Sequence, residues 1–252
     1  MKSERLKKIN QCIAETSFKR VNRNNISNCI KENLIVGTDL LKFFFQLDKA
    51  AKRNGLDIIF DFSATNHTDF AGQTIKMNKA INIELRRNMS DDEYALSILA
   101  HEMGETDYLL RGLPTVTGVN GRCSISSRLT ELFSHSHIHR LLEEYGLEKY
   151  NIFLENRNSE IWRLKDYESE YNHEGVRVLM LTWALITYPS LRDSKNDLQG
   201  YTKYSNSVSE ILDIVLTTST FGSVNTVVTS MKTIINILSD YKLEGMQIER
   251  NF

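Results

Sequence analysis

The 252-residue sequence predicts an α+β fold, with a small, three-stranded, mostly antiparallel sheet set among many helices. Three observations carry that expectation. Only two prolines and twelve glycines occur, too few for the frequent turns of an all-β protein. Apolar residues recur at three- and four-residue spacing through most of the chain. Between residues 56 and 85 the pattern changes to short runs and alternations of the strand type.

The elements follow in order. Leu6, Ile9 and Ile13 share one helical face, and Ile26, Cys29 and Ile30 share another. A third helix follows Thr38-Asp39, carries Leu40, Leu41, Phe43, Phe44, Leu47 and Ala51, and stops at Asn54-Gly55, a good C-terminal signal. Leu56 to Phe62 reads as a strand, and Thr74 to Met77 with Ala80 to Leu85 as a strand pair. In Ala80 to Leu85, Asn82 and Glu84 alternate with Ile81, Ile83 and Leu85, which suggests an edge strand with one wet face. Ser90-Asp91-Asp92-Glu93 has the form of a capping box. It opens a helix that runs to Leu110, with Gly112 and Pro114 beyond. A Gly-, Thr- and Ser-rich loop, Pro114 to Ser126, leads to a helix over Ser127 to Tyr145, closed by Gly146. Further helices are expected over Ile161 to Tyr188, with a break near Asn172, then Ser207 to Thr217 and Val224 to Tyr241. This divides the chain into residues 1–155, an α+β part, and 156–252, a helical part.

Composition narrows the function. Lys+Arg is 31 against Asp+Glu 32, so no basic bias points to nucleic acid or an anionic membrane. The most apolar run, Val176 to Tyr188, contains Arg177 and stops at Pro189, short of the ~20 residues a membrane span needs. Cys12, Cys29 and Cys123 are an odd number with no C-x-x-C pair, and free thiols in a reducing compartment are expected. No apolar core of signal-peptide type occurs in residues 1–33. A cytoplasmic protein with no membrane partner is the expectation.

The chemistry concentrates on one helix. His101 and Glu105, four apart in His101-Glu102-Met103-Gly104-Glu105, share a face and present two donor atoms together, as the two histidines of a His-Glu-x-x-His zinc helix do. Glu102 flanks them where such a helix holds its general base. On the next helix Glu131 and His135 are again four apart. A mixed histidine and carboxylate shell suits Zn²⁺, and Mn²⁺ or Fe²⁺ equally.

The stretch from Ala80 through the capping box to Ile98-Leu99-Ala100-His101-Glu102-Met103-Gly104 resembles the edge strand and active helix of zincin metallopeptidases. It is most similar to the ImmA/IrrE-type peptidases, whose helix reads L-A-H-E-L-G-H; the resemblance covers roughly residues 57–146. It implies His101 as a ligand, Glu102 as general base and Glu131, in Leu129-Thr130-Glu131-Leu132-Phe133, as third ligand, with a peptide or protein substrate. Glu105 stands where the family has its second histidine. Two carboxylates and one histidine lower the metal's effective charge and its power to acidify water. His135 would restore a nitrogen ligand, and a shell closed by all four residues would favour a structural site over a catalytic one. The substitution also fits a lost site with no metal.

Plainer readings apply elsewhere. His137 reads as an exposed residue of an amphipathic helix, His67 as a surface-loop histidine, Cys123 as a loop thiol and Trp183 as core or subunit contact. Phe43-Phe44-Phe45 reads as core packing, and His173-Glu174 as a helix boundary. Three functions remain: a zincin-like peptidase, an inactive zincin-shaped module that binds a protein partner or ligand, and a carboxylate-rich metal enzyme of another hydrolytic or redox kind.

Overall fold

The computed structural model describes residues 4–17, 23–62, 72–86, 91–118, 123–159, 173–193, 204–243 and 245–250. In chain order these form α1 (Glu4–Ser17), α2 (Arg23–Ile30) with a π-helical turn (Lys31–Ile35), α3 (Leu40–Arg53), β1 (Asp57–Phe62), β2 (Gly72–Lys76), β3 (Ala80–Leu85) and α4 (Asp92–Leu110). Then come β4 (Thr115–Gly118), α5 (Cys123–Glu144), α6 (Glu148–Ser159), α7 (Glu174–Thr187), the short α8 (Ser190–Asp193), α9 (Ser205–Thr217), α10 (Val224–Ser239) and β5 (Met246–Glu249). The α+β expectation holds, with one small three-stranded sheet. Of the strand pairings among the described residues, β2–β3 and β4–β5 are antiparallel and β1–β3 is parallel.

The chain folds as two compact units, Met1–Leu110 with Leu141–Leu154, and Arg111–Arg140 with Glu155–Phe252. In the first unit α3 and α4 pack together, α4 also against β2 and β3. Phe43, Leu47, Phe60, Ile81, Ile83, Leu99 and Met103 are buried in its core. Gly55 ends α3 in the left-handed region (φ 69°). Its N–H donates to the Lys52 carbonyl and that of Leu56 to Ala51, which satisfies two carbonyls the helix end leaves open.

Two sequence expectations are corrected here. The sheet order is β1-β3-β2, so Ala80–Leu85 is the central strand and not an edge. The expected wet face is largely covered as well: Asn82 is buried and its Nδ2 donates to Glu84 Oε1 at 2.8 Å, while Gln73 Nε2 donates to Glu84 Oε2 at 2.6 Å. Alternation reports which face of a strand is polar, not whether its edges are paired. The outer edge of β1 is covered by α2, where the Phe60 N–H donates to Ser27 Oγ at 3.1 Å. β2 forms the opposite edge, with Gln73, Ile75 and Lys76 exposed along it.

Second, Cys12 and Cys29 are joined in a disulfide and are not free thiols. α1 and α2 pack against each other and bring the two Cα atoms to 6.7 Å, inside bridging range. Spacing along the chain carries no trace of this, and the thiol argument for a reducing compartment lapses for this pair.

In the second unit α7 is apolar on nearly every side and is buried from Gly175 to Ile186 except at Arg177, as a helix with almost no polar face must be. α9 and α10 pack on it. Thr115–Gly118, expected as loop, pairs with Met246–Glu249; strands of four residues give no periodicity to read. The expected break near Asn172 lies outside the described residues, and His173 is the N-cap of α7. Among the described residues no helix is long and apolar enough to cross a membrane.

The disulfide closes a loop of sequence separation 17, for which chain entropy predicts about 3 kcal/mol of stabilisation. Urea unfolding of Cys12→Ser should show a loss of roughly that size. Alkylation of the denatured, unreduced protein should label at most one cysteine per chain. Labelling of all three would contradict the pairing.

Candidate metal centre

α4 begins at a cap one residue later than the sequence suggests: Asp91 Oδ1 accepts from the Tyr94 N–H at 2.7 Å. Ser90 lies outside the described residues. Asp92 and Glu93 then place negative charge in the first turn, where the helix dipole favours it. Three turns on, His101 and Glu105 stand on one face, both half-buried, with Nε2 and Oε1 3.9 Å apart.

Glu102, beside them, engages the sheet. It is 5% exposed and lies against β2, where the Thr74 hydroxyl donates to its Oε2 at 2.8 Å and meets its carbonyl oxygen at 3.0 Å. The strand presses close at Gly72. A Cβ there would stand 2.7 Å from Ile98 Cγ2 and 2.8 Å from Glu102 Cγ and Oε1, so a side chain is excluded unless the glutamate moves. Burial pushes the Glu102 carboxyl well above the usual carboxylate range, the nearby Glu105 charge and a hydrogen bond to Glu105 add to this, and the Thr74 bond opposes it.

α5 supplies the other candidates. Glu131 is half-buried, and its Oε2 accepts from Arg128 Nη1 at 2.5 Å and from Trp183 Nε1 at 2.7 Å. The Arg128 guanidinium lies 4.4 Å over the Trp183 ring. One turn further, His135 is 7% exposed, and its Nδ1 is 2.8 Å from Thr187 Oγ1. Burial, then the neighbouring His139 and Arg128 charges, push His135 down to about 3, so it is neutral at physiological pH. His139 is also lowered, by burial first and then by Arg192.

His137 corrects the sequence reading. It is fully buried, not exposed; Nδ1 lies 2.8 Å from Thr220 Oγ1, and the ring packs at 4.8 Å on Phe221. α5 has buried positions around most of its circumference, so no solvent face exists for a residue two positions from His135. His67 lies outside the described residues.

Within the first unit, His101 and Glu105 present one imidazole and one carboxylate on the same face of α4, donor types that suit a divalent ion. Within the second, Glu131 and His135 stand one turn apart on α5, and Glu131 is engaged by Arg128 and Trp183. No family model, no curated protein and no solved structure matches the chain.

Several residues that hold the candidates carry no local signal in the sequence: Gly72 and Thr74 on β2 beside Glu102, and Arg128 on α5 and Thr187 on α7 beside Glu131 and His135, while Trp183 reads there as core or a subunit contact. One signal was present. Trp183 and Thr187 are four apart, as are their partners Glu131 and His135, but matching the two pairs requires knowing that α5 and α7 touch.

The raised Glu102 makes a pH prediction. A carboxyl whose folded pKa exceeds its unfolded value contributes stability that is full below the unfolded pKa and is lost as pH rises through the folded pKa. Metal-free protein should therefore lose stability on going from pH 4.5 upward through that raised value. Glu102→Gln should remove this loss and be the more stable chain at pH 8 in denaturant titrations. An unchanged pH slope in the variant would show that Glu102 is not held protonated.

Proposed function

We propose that this chain is a zincin-like, metal-dependent peptidase acting on a peptide or protein substrate, with Zn²⁺ the ion its site suits. The observation that carries the reading is the His101–Glu105 pair on one face of α4, with Nε2 and Oε1 3.9 Å apart. It joins an imidazole and a carboxylate, donor types that hold catalytic zinc in metallopeptidases, and the second position of the helix is a carboxylate where the resembling family has a histidine. The sequence offers Glu131 and His135 as the further ligands, and of these Glu131 is engaged by Arg128 and Trp183. Mn²⁺ and Fe²⁺ remain chemically close alternatives for the same donors.

A bound divalent ion would polarise a carbonyl and lower the pKa of water. The chain's own part is to orient and to move a proton. The Nε2–Oε1 pair of His101 and Glu105 converges two donors on one helix face. The edge strand β2 has the geometry to take an extended peptide by strand addition, a role that passes to it from β3. Glu102 would carry the proton between water and the leaving amine, which requires its carboxyl to gain access from beneath β2.

That last requirement supports a second reading. Glu102 is buried and bonded to Thr74, and a carboxyl kept there serves the packing of β2 on α4 and not proton transfer. The chain would then be a zincin-shaped module that binds a protein partner or ligand without turnover.

Purified without chelator or nickel resin, the protein should carry about one zinc per chain, and His101→Ala or His135→Ala should weaken zinc binding by more than about a hundredfold, since outer-shell changes alone cost 10–100-fold. Glu102→Gln should keep the metal and abolish cleavage of candidate peptides. Zinc retention in both histidine variants would defeat the metal centre; full zinc with no peptidase activity in the wild type would favour the binding module.

A further inference from the structure

A cavity of about 360 Å³ opens in the first unit where the start of α1, the π-helical turn and the start of α4 meet. Glu4, Arg5 and Lys8 line it from α1, Glu32 and Asn33 from the π-turn, and Asp92 from α4. Its volume falls in the range of small-molecule sites, roughly 300–1,000 Å³. Lys8 and Glu4 pair with each other at 3.6 Å. The other three charges stand apart: among the described residues, Arg5, Glu32 and Asp92 make no hydrogen bond or ion pair. Glu32 is exposed, so water satisfies it. Asp92 differs, because its Oδ1 is shielded from solvent and has no hydrogen-bond partner. Asp91 already caps α4 through the Tyr94 N–H, so the helix makes no use of the Asp92 carboxylate as a cap. A shielded acceptor without a donor is costly, and native proteins keep few of them.

The walls of the cavity are tied together. Cys12, one turn beyond Lys8 on α1, is bonded to Cys29, and Asn33 Nδ2 donates to the Cys29 carbonyl at 2.8 Å and lies 3.6 Å from its Sγ. The backbones that carry Arg5 and Glu32 therefore hold their relation before a ligand arrives, which lowers the ordering cost of binding. We propose that this cavity binds a free basic α-amino acid of the lysine or arginine type. With Glu4 and Lys8 cancelling, it offers one guanidinium and two carboxylates. The complement is a ligand with one carboxylate for Arg5 and two cationic groups, the α-amine and the side-chain ammonium or guanidinium, for Asp92 and Glu32. Such a cation supplies the donor that Asp92 Oδ1 lacks. A lone anion would be repelled by two carboxylates, and a simple diamine would leave Arg5 uncompensated. The cavity lies wholly within the first unit, apart from any question of metal.

Isothermal titration of the full-length, metal-free protein with L-arginine and L-lysine tests the assignment. Both should bind saturably, and L-norleucine, which lacks the second cation, should bind at least roughly tenfold more weakly, the scale of one lost charge-assisted hydrogen bond. Asp92→Asn and Arg5→Gln should each weaken L-arginine binding by a similar factor. If either variant does not fold, the ligand series on the wild type decides: Nα-acetyl-L-arginine and L-argininamide, each missing one charge, should bind more weakly than L-arginine. Absence of saturable binding at millimolar L-arginine and L-lysine overturns the proposal, as do equal affinity for L-norleucine or unaltered binding in both folded variants. Equal binding of the two blocked forms overturns the assignment to a free amino acid in favour of a residue within a peptide.

Discussion

Thr74 on β2 reaches the Glu102 carboxylate and, through the same oxygen, the Glu102 carbonyl, which locks the edge strand and α4 in one register. The rest of the first unit's chemistry depends on that lock. A helix advances roughly 100° per residue, so pinning Glu102 against the strand turns His101 and Glu105 onto flanking directions, one residue before and three after. Gly72 makes the approach possible because a Cβ would occupy the space of the Glu102 side chain. The same burial raises the Glu102 carboxyl well above the usual carboxylate range. One contact therefore sets the aim of the His101–Glu105 pair and helps set the acidity of the residue beside it.

The second unit solves a related problem with different parts. Burial keeps His135 neutral at physiological pH, and its contact with Thr187 on α7 orients the ring. Trp183 and Arg128 both engage one oxygen of Glu131, a charge-assisted arrangement that stiffens the turn before His135. The cost of burying these polar groups is offset because each has a partner, as buried polar atoms require.

What could be read from the sequence was what local physics determines. The end of α3 at Asn54-Gly55, the helical nature of α4 and α5, and the shared face of His101 and Glu105 follow from periodicity and capping within a few residues. So did the presence of a small sheet. What could not be read depends on partners far along the chain. Asn82 and Glu84 signalled a wet face, yet β3 is central because β1 and β2 pair on either side of it. His137 looked solvent-facing on a helical wheel and is buried against Thr220 and Phe221, more than eighty residues later. The Cys12–Cys29 bond and the β4–β5 pairing are likewise long-range facts. In the site, the histidine on α5 was a visible candidate, but its partner Thr187 and the fixed Glu131–Trp183 contact were not.

The central claim of the proposal is that His101 and Glu105 together take part in holding one metal ion. X-ray absorption at the zinc K-edge on the zinc-loaded, full-length protein tests it most directly. The account predicts a first shell of nitrogen and oxygen at about 2.0–2.2 Å, with the outer-shell scattering of imidazole that weakens in His101→Ala. A shell of water oxygens without imidazole scattering, or a spectrum that His101→Ala leaves unchanged, would contradict it.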